Sequence, residues 1–223
     1  VVNALYNVSS IKEINLGEFA IKFNPTALSQ VDIEHINVHK NNNVYCSVNN
    51  TLLEKDMTTL IRGCKNSVIP DGVQVIGSNA FLVVEGMKEI KIPSSVKRIE
   101  SYAFAFMPDL ERVIIEGDDV DVREYAFSNC PKLKDIPGME KWNPINIKTC
   151  EEMFLSCKSL DASVVAKVEK WKNVPKYIKD DSKKGYTSKN IIAYAMVDNL
   201  GGTVKYFANK INIFQKKIDD NCK

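Results

Sequence analysis

The chain has 223 residues, 44% of them hydrophobic, enough to bury a core in one elongated domain or two compact ones. Thirty Lys and Arg against 28 Asp and Glu leave a net charge of +2, which gives no global reason to expect nucleic acid as a partner. No apolar run approaches the roughly 18 to 20 residues of a membrane span. The chain opens at Val1 with no leader-like stretch, an absence that decides nothing about export.

In chain order, the first 40 residues hold two copies of one pattern. Ala4-Leu5 is followed by Ile11, Ile14 and Leu16, and Ala27-Leu28 by Ile33, Ile36 and Val38; Leu5 and Leu28 stand 23 residues apart. Residues 40–66 then interrupt the pattern. "NVYCSVNNTLLEKDMTTLIRG" alternates apolar and polar residues over short runs, with turn pairs at Asn49-Asn50 and Lys55-Asp56, and reads as a small β-meander. Such an insertion either lengthens the sheet or projects a contact surface around Tyr45 and Leu53.

The pattern returns more sharply from residue 66. Phe81, Phe104 and Phe127 are 23 apart, each preceded by an alanine, and Pro70/Pro93, Val73/Val96 and Ile76/Ile99 keep the same period. Apolar residues follow each aromatic at fixed offsets: Met87, Ile90 and Ile92, then Leu110, Val113 and Ile115, then Leu133 and Ile136. A last copy, with Phe154, Cys157 and Leu160, comes 27 residues on. A period of this length predicts an α/β repeat, a leucine-rich-repeat solenoid of short parallel strands and about 23-residue coils, because one coil cannot bury its own apolar edge and stacking supplies the core. "KEIKI" at 88–92 is predicted as a strand, and "SNAFLVVEGM" and "SYAFAFMPDL" as helical or 3₁₀ turns on the opposite face.

"IPDGVQVIGSNAF", "IPSSVKRIESYAF" and "VREYAFSNCPKL" resemble the repeats of the BspA-like (Treponema pallidum type) leucine-rich-repeat proteins, and "MEKWNPINIKTCEEMFLSCKSL" is similar to a surface repeat that accompanies them. The resemblance covers roughly residues 1–160, with Leu5 and Leu28 standing where phenylalanine is usual. It implies a cell-surface or secreted binding protein, concerned with adhesion or ligand recognition.

Beyond Leu160 the period stops. Residues 161–223 hold 13 Lys and 7 Asp or Glu, a net +6, leaving 17 against 21, a net −4, for residues 1–160. Asp161 or Ser163 is placed to cap a helix through Trp171, Thr187 or Ser188 a second, and a third runs from Thr203 to about Asp220. This helical C-terminal segment, 161–223, is expected to cap the open end of the solenoid. Its last helix carries a narrow stripe that includes Phe207, Ile211 and Phe214, so an assembly protein that oligomerises through these residues is the alternative reading.

Chemistry is scarce. There is no phosphate-binding loop, no dinucleotide fingerprint, no HExxH and no GxSxG, and no acid and base pair stands out, so neither catalysis nor a cofactor is expected. His35 and His39 with Cys46 or Asp56 do not make a recognisable metal site. Cys130 and Cys157 occupy the row held by valine or methionine in other coils and read as core thiols. What a repeat does offer is a face of parallel strands with free side chains. Its outward positions, placed to meet a protein or glycan ligand, are Glu13, Asn15, His35, Asn37, Glu89, Lys91, Arg112, Ile114 and Asp135, with Lys91, Arg112 and Ile114 as a hot spot for an acidic partner or sugar-acid. The row just before that face, Lys12, Glu34, Lys88, Glu111 and Lys134, alternates in sign and should help set the stacking register.

Overall fold

The computed structural model describes residues 11–28, 31–142 and 153–172. The chain divides into Val1–Asn173 and Val174–Lys223, and the described residues all belong to the first unit. The Ala4-Leu5 copy and the helices expected from Thr187 or Ser188 and from Thr203 to about Asp220 lie outside the described residues.

The coils stack as the period requires. Strands β1 (Glu13–Leu16) and β2 (His35–Val38) pair in parallel, Glu13 opposite His35 and Asn15 opposite Asn37. One insertion later, β7 (Glu89–Ile92) and β9 (Arg112–Ile115) pair in the same sense, Glu89 opposite Arg112 and Lys91 opposite Ile114, and a bridge from Arg112 to Asp135 carries the ladder into the next coil. The alternation written in "EIKI" is obeyed: Ile90 and Ile92 point into the core and Glu89 and Lys91 away from it.

A second parallel ladder forms after the proline turn. Strands β6 (Val75–Ile76), β8 (Arg98–Ile99) and β10 (Asp121–Val122) are only two residues long, yet stack in register, Val75 with Arg98 and Asp121, and Ile76 with Ile99 and Val122. The Val73/Val96 and Ile76/Ile99 periodicity belongs to this second wall, which buries all four side chains.

The third wall corrects an expectation. "SNAFLVVEGM" and "SYAFAFMPDL" form no helix, whereas the divergent copy at Pro25–Leu28 is 3₁₀. The regular coils instead make tight turns with left-handed residues four apart: Asn79 and Val83, Tyr102 and Phe106, Tyr125 and Asn129. This backbone sends its N–H groups to the next coil, from Phe81 to Ala103 O (2.7 Å), Phe104 to Ala126 O (2.8 Å) and Phe127 to Met153 O (3.1 Å), with parallel bonds from Val83 to Ala105 O and from Phe106 to Ser128 O. A helix would use those donors within its own coil. The left-handed turns direct them along the stack, which offsets the roughly 1 to 2 kcal/mol that each such residue costs.

The alanine and phenylalanine of each turn fill the core. Phe81, Phe104 and Phe127 are fully buried and stacked, with centroids 5.1 and 5.3 Å apart, and the column continues to Trp142 and Phe154, each 5.8 Å from Phe127. Ala80, Ala103 and Ala126 are buried beside the column, where a larger side chain would meet its neighbours.

The insertion is the expected meander. Strands β3 (Tyr45–Val48), β4 (Thr51–Glu54) and β5 (Thr59–Arg62) are antiparallel, with Asn49 and Asn50 both left-handed at the two-residue turn. It extends a sheet, and the sheet is the second ladder: β5 pairs in parallel with β6, giving the order β10-β8-β6-β5-β4-β3. Tyr45 and Leu53, which the alternative reading put on a projecting contact surface, are buried; the Tyr45 hydroxyl accepts from the Phe23 N–H and donates to Ile21 O. Where the insertion returns to the coils, Arg62 is fully buried and Gly63 lies against the Phe81 ring.

At the other end, helix α1 (Ala162–Lys172) starts at Asp161, whose carbonyl accepts from Val164 and Val165 and whose own N–H donates to Lys134 O. Val164 and Val168 are buried, so this helix packs one apolar edge and grows out of the last coil.

Candidate functional site

The outward face of β1, β2, β7 and β9 carries the side chains expected to meet a ligand. Glu13, Asn15, His35, Asn37, Glu89, Lys91 and Arg112 are exposed; Asp135 is half-buried, and Ile114, expected to be exposed, is half-buried as well. They fall into two groups. Near β1 and β2, Asn37 Nδ2 donates to Glu13 Oε1 (2.7 Å) and Asn15 Oδ1 (3.2 Å), while His35 Nδ1 lies 3.3 Å from Asn50 Oδ1. On β7 and β9, Arg112 lies between Glu89 (3.6 Å) and Asp135 (3.5 Å), and Lys91 Nζ reaches Glu116 Oε1 at 2.8 Å. That hydrogen bond to Glu116 also raises the Lys91 ammonium above its ordinary pKa.

Lys91 and Arg112 are therefore not a pair of uncommitted cations. The opposed charges come from neighbouring coils, so the same ladder that exposes these side chains neutralises them. An acidic ligand has to compete with Glu89, Asp135 and Glu116 for them, which weakens the expected hot spot as an anion receptor.

Two residues of this face went unnoticed in the sequence. Counting one period back from Lys88–Ile92 gives Lys65–Ile69, and Asn66, Ser67, Val68 and Ile69 repeat the exposed-buried alternation of "EIKI". Val68 is 63% exposed, at the position equivalent to Lys91 and Ile114. The signal was the period itself, obscured because this copy follows the insertion without an alanine-aromatic pair. The strands β2 and β7 do not pair, and the tip of the insertion fills in beside β2: the Val68 N–H donates to Asn49 O, Asn50 Nδ2 to Asn66 O, and Asn66 Nδ2 to Glu34 O.

The charged row below the face is partly as expected. Lys12 pairs with Glu34 (3.5 Å) and Lys134 with Glu111 (3.1 Å), while Lys88 contributes its carbonyl, which accepts from Glu111 and Arg112 N–H. Lys65 and Asp32 complete a cluster the alternation missed. Lys65 lies 2.9 Å from both Asp32 and Glu34, and Lys12 also contacts Asp32. Both carboxyls are held below their ordinary pKa, Asp32 by Lys12 and then Lys65, Glu34 by Lys65 first.

No group of three or more His, Cys, Asp or Glu is placed to hold a metal among the described residues, where Cys46, Cys64, Cys130 and Cys157 are all free thiols. No helix among them is long and apolar enough to cross a membrane.

Comparison with known proteins agrees with this geometry. A search of curated proteins returns no match. Among solved structures, a leucine-rich repeat protein from Eubacterium ventriosum is 23% identical with a TM-score of 0.56, covering 68% of this chain and 41% of its own, and shares the fold. The pneumococcal vaccine antigen PcpA matches at 19% identity and a TM-score of 0.45, covering 57% of this chain and 39% of its own. A leucine-rich cell surface protein from Faecalibacterium prausnitzii matches at 24% and 0.42, covering 67% and 34%. This chain thus spans about two fifths or less of the length of these proteins. The model of the BspA type leucine rich repeat region matches residues 61–177 in six copies, more than half of the sequence. The chain belongs to the BspA-type leucine-rich-repeat family.

Proposed function

We propose that this chain is a non-catalytic recognition module, displayed at a cell surface, that binds a protein or glycan through the outward strand face. The observation that carries the reading is the in-register ladder of β7 and β9, which fixes the backbone while leaving Glu89, Lys91, Arg112 and Ile114 facing outward in rows. The row of Val68, Lys91 and Ile114 is the part best suited to contact. It combines an exposed valine, a lysine whose ammonium is turned to Glu116 and a half-buried isoleucine, so it offers apolar area with polar groups at its margin. Surface display is supported by membership of the BspA-type family.

The test is a screen of the purified chain against immobilised matrix proteins and a glycan array, repeated with Val68→Asp plus Ile114→Asp and with Lys91→Glu plus Arg112→Glu. A ligand of the strand face should lose about tenfold or more in affinity with the first pair, and less with the second. Val44→Asp plus Met57→Asp, on exposed positions of the meander, should leave binding unchanged. Binding that survives both strand-face pairs and is lost with the meander pair sinks this reading.

A further inference from the structure

The row that holds Val84 and Met107 in earlier coils holds Cys130 and Cys157 in the last two, each three residues after its aromatic. The structure puts these thiols in equivalent surroundings one coil apart: Cys130 Sγ donates to Phe104 O at 3.1 Å and Cys157 Sγ to Phe127 O at 3.0 Å. Just before each cysteine the two coils are tied together, Phe127 N–H to Met153 O and Asn129 N–H to Leu155 O. Backbones bonded in this way run about 4.8 Å apart. That spacing lies inside the roughly 4.4 to 6.8 Å between Cα atoms that a disulfide spans. Cys130 is fully buried and Cys157 half-buried, so one member of the pair is open to a reagent and the other only to its neighbour.

We infer that Cys130 and Cys157 are a dithiol poised to form a disulfide between the last two coils when the protein meets an oxidising medium. The reaction with a low-molecular-weight disulfide, RSSR, balances in two exchanges. Cys157, as thiolate, attacks one sulfur and expels RS⁻. Cys130 Sγ then attacks Cys157 Sγ and expels the second RS⁻, its thiol proton leaving with it, so two protein thiols are oxidised and one RSSR is reduced to two RSH. The order follows from access and from proton affinity. The neighbouring Cys130 holds the Cys157 thiol below its ordinary pKa, while Cys157 and burial together push Cys130 up. The bond closes a loop of 27 residues between the coils whose aromatics, Phe127 and Phe154, are stacked on each other.

The experiment oxidises the full chain with glutathione disulfide, blocks the remaining thiols under denaturing conditions and maps the peptides. The expected product is a Cys130–Cys157 cross-linked peptide, with the protein lighter by two hydrogen atoms. Its thermal midpoint should rise by about 5 to 10 °C and return with dithiothreitol. Cys157→Ser should abolish the rise and Cys46→Ser should leave it. A persistent glutathione adduct on Cys157 with Cys130 still alkylatable, both thiols unreacted, or a cross-link to a different cysteine overturns the inference. Peptide mapping of the unsubstituted chain distinguishes these outcomes even if a variant fails to fold.

Discussion

Gly63 leaves the space that the ring of Phe81 fills. A Cβ at Gly63 would fall 2.7 Å from Phe81 Cδ1, and closer still to Cε1 and Cζ. The aromatic column therefore begins where the insertion rejoins the coils, and the residue beneath its first ring has to lack a side chain. Gly63→Ala forces the buried ring against its stacking partner Phe104, so it should lower stability by about 1 to 3 kcal/mol in urea unfolding. Gly17→Ala, where a Cβ meets nothing within 4 Å, should stay within about 0.5 kcal/mol.

Arg62, next to it, bridges the parts of the chain that the insertion separates. Its guanidinium is buried and donates to Leu28 O (3.2 Å) on one side and to Asn79 O (3.1 Å) and Leu82 O (3.0 Å) on the other. Burial lowers its pKa to about 10, so it remains charged at neutral pH. Arg62→Ala takes a charged donor from three carbonyls, of which Asn79 O and Leu28 O keep a backbone N–H, and opens a cavity, and should cost about 3 to 5 kcal/mol. Arg62→Met keeps most of the volume and should cost less. The folded pKa lies below the unfolded one, so the charge penalty is constant below about pH 10 and eases only above it. The gap between wild type and Arg62→Met should therefore be flat from about pH 6 to pH 9; a slope there would mean that Arg62 does not stay protonated.

These two residues mark the limit of what the sequence made legible. The 23-residue period exposed the coils, their inward residues and the meander, because each depends on a side chain repeated at a fixed offset. The left-handed turns were hidden: they are carried by asparagine, valine, tyrosine and phenylalanine and maintained by hydrogen bonds to the next coil, which no local preference records. Arg62 closes a strand-like run in which nothing local marks it for burial, and the path of the insertion buries it. On the candidate face, the outward positions followed from alternation. Their pairing did not, since the Lys91–Glu116 contact depends on where the chain returns after β9.

The phenylalanine column should be the largest single source of core stability. Phe104 has a ring on each side, Phe81 at 5.1 Å and Phe127 at 5.3 Å, and is fully buried. Phe104→Ala removes both stacking contacts and leaves a cavity in mid-column, for an expected loss of about 3 to 5 kcal/mol. Phe104→Leu, the residue type found in the divergent copy at Leu28, should cost markedly less. Equal losses for the two variants would show that ring stacking, more than filled volume, sets the stability of the coil.

The cluster of Lys12, Asp32, Glu34 and Lys65 should give stability a dependence on both pH and salt. Asp32 and Glu34 are depressed below their ordinary values of 3.8 and 4.5 by hydrogen bonds and charge from Lys12 and Lys65. A carboxyl with a lower pKa in the folded state stabilises above its unfolded value and loses that contribution as pH falls through the folded one. The lysines, raised above 10.5 by the same contacts, contribute below that value and lose their share as pH rises through their folded pKa. The cluster is thus complete between about pH 5 and pH 10. Asp32→Asn plus Glu34→Gln should destabilise the chain at pH 7 in low salt, by less as salt rises, because these groups are near the surface and screened. As the pH is taken down toward about 2, the wild type should converge on the variant. Thermal midpoints of both proteins at pH 7 and in acid, each at two salt concentrations, make the check. A difference that persists unchanged in acid would assign these residues a packing role in place of an electrostatic one.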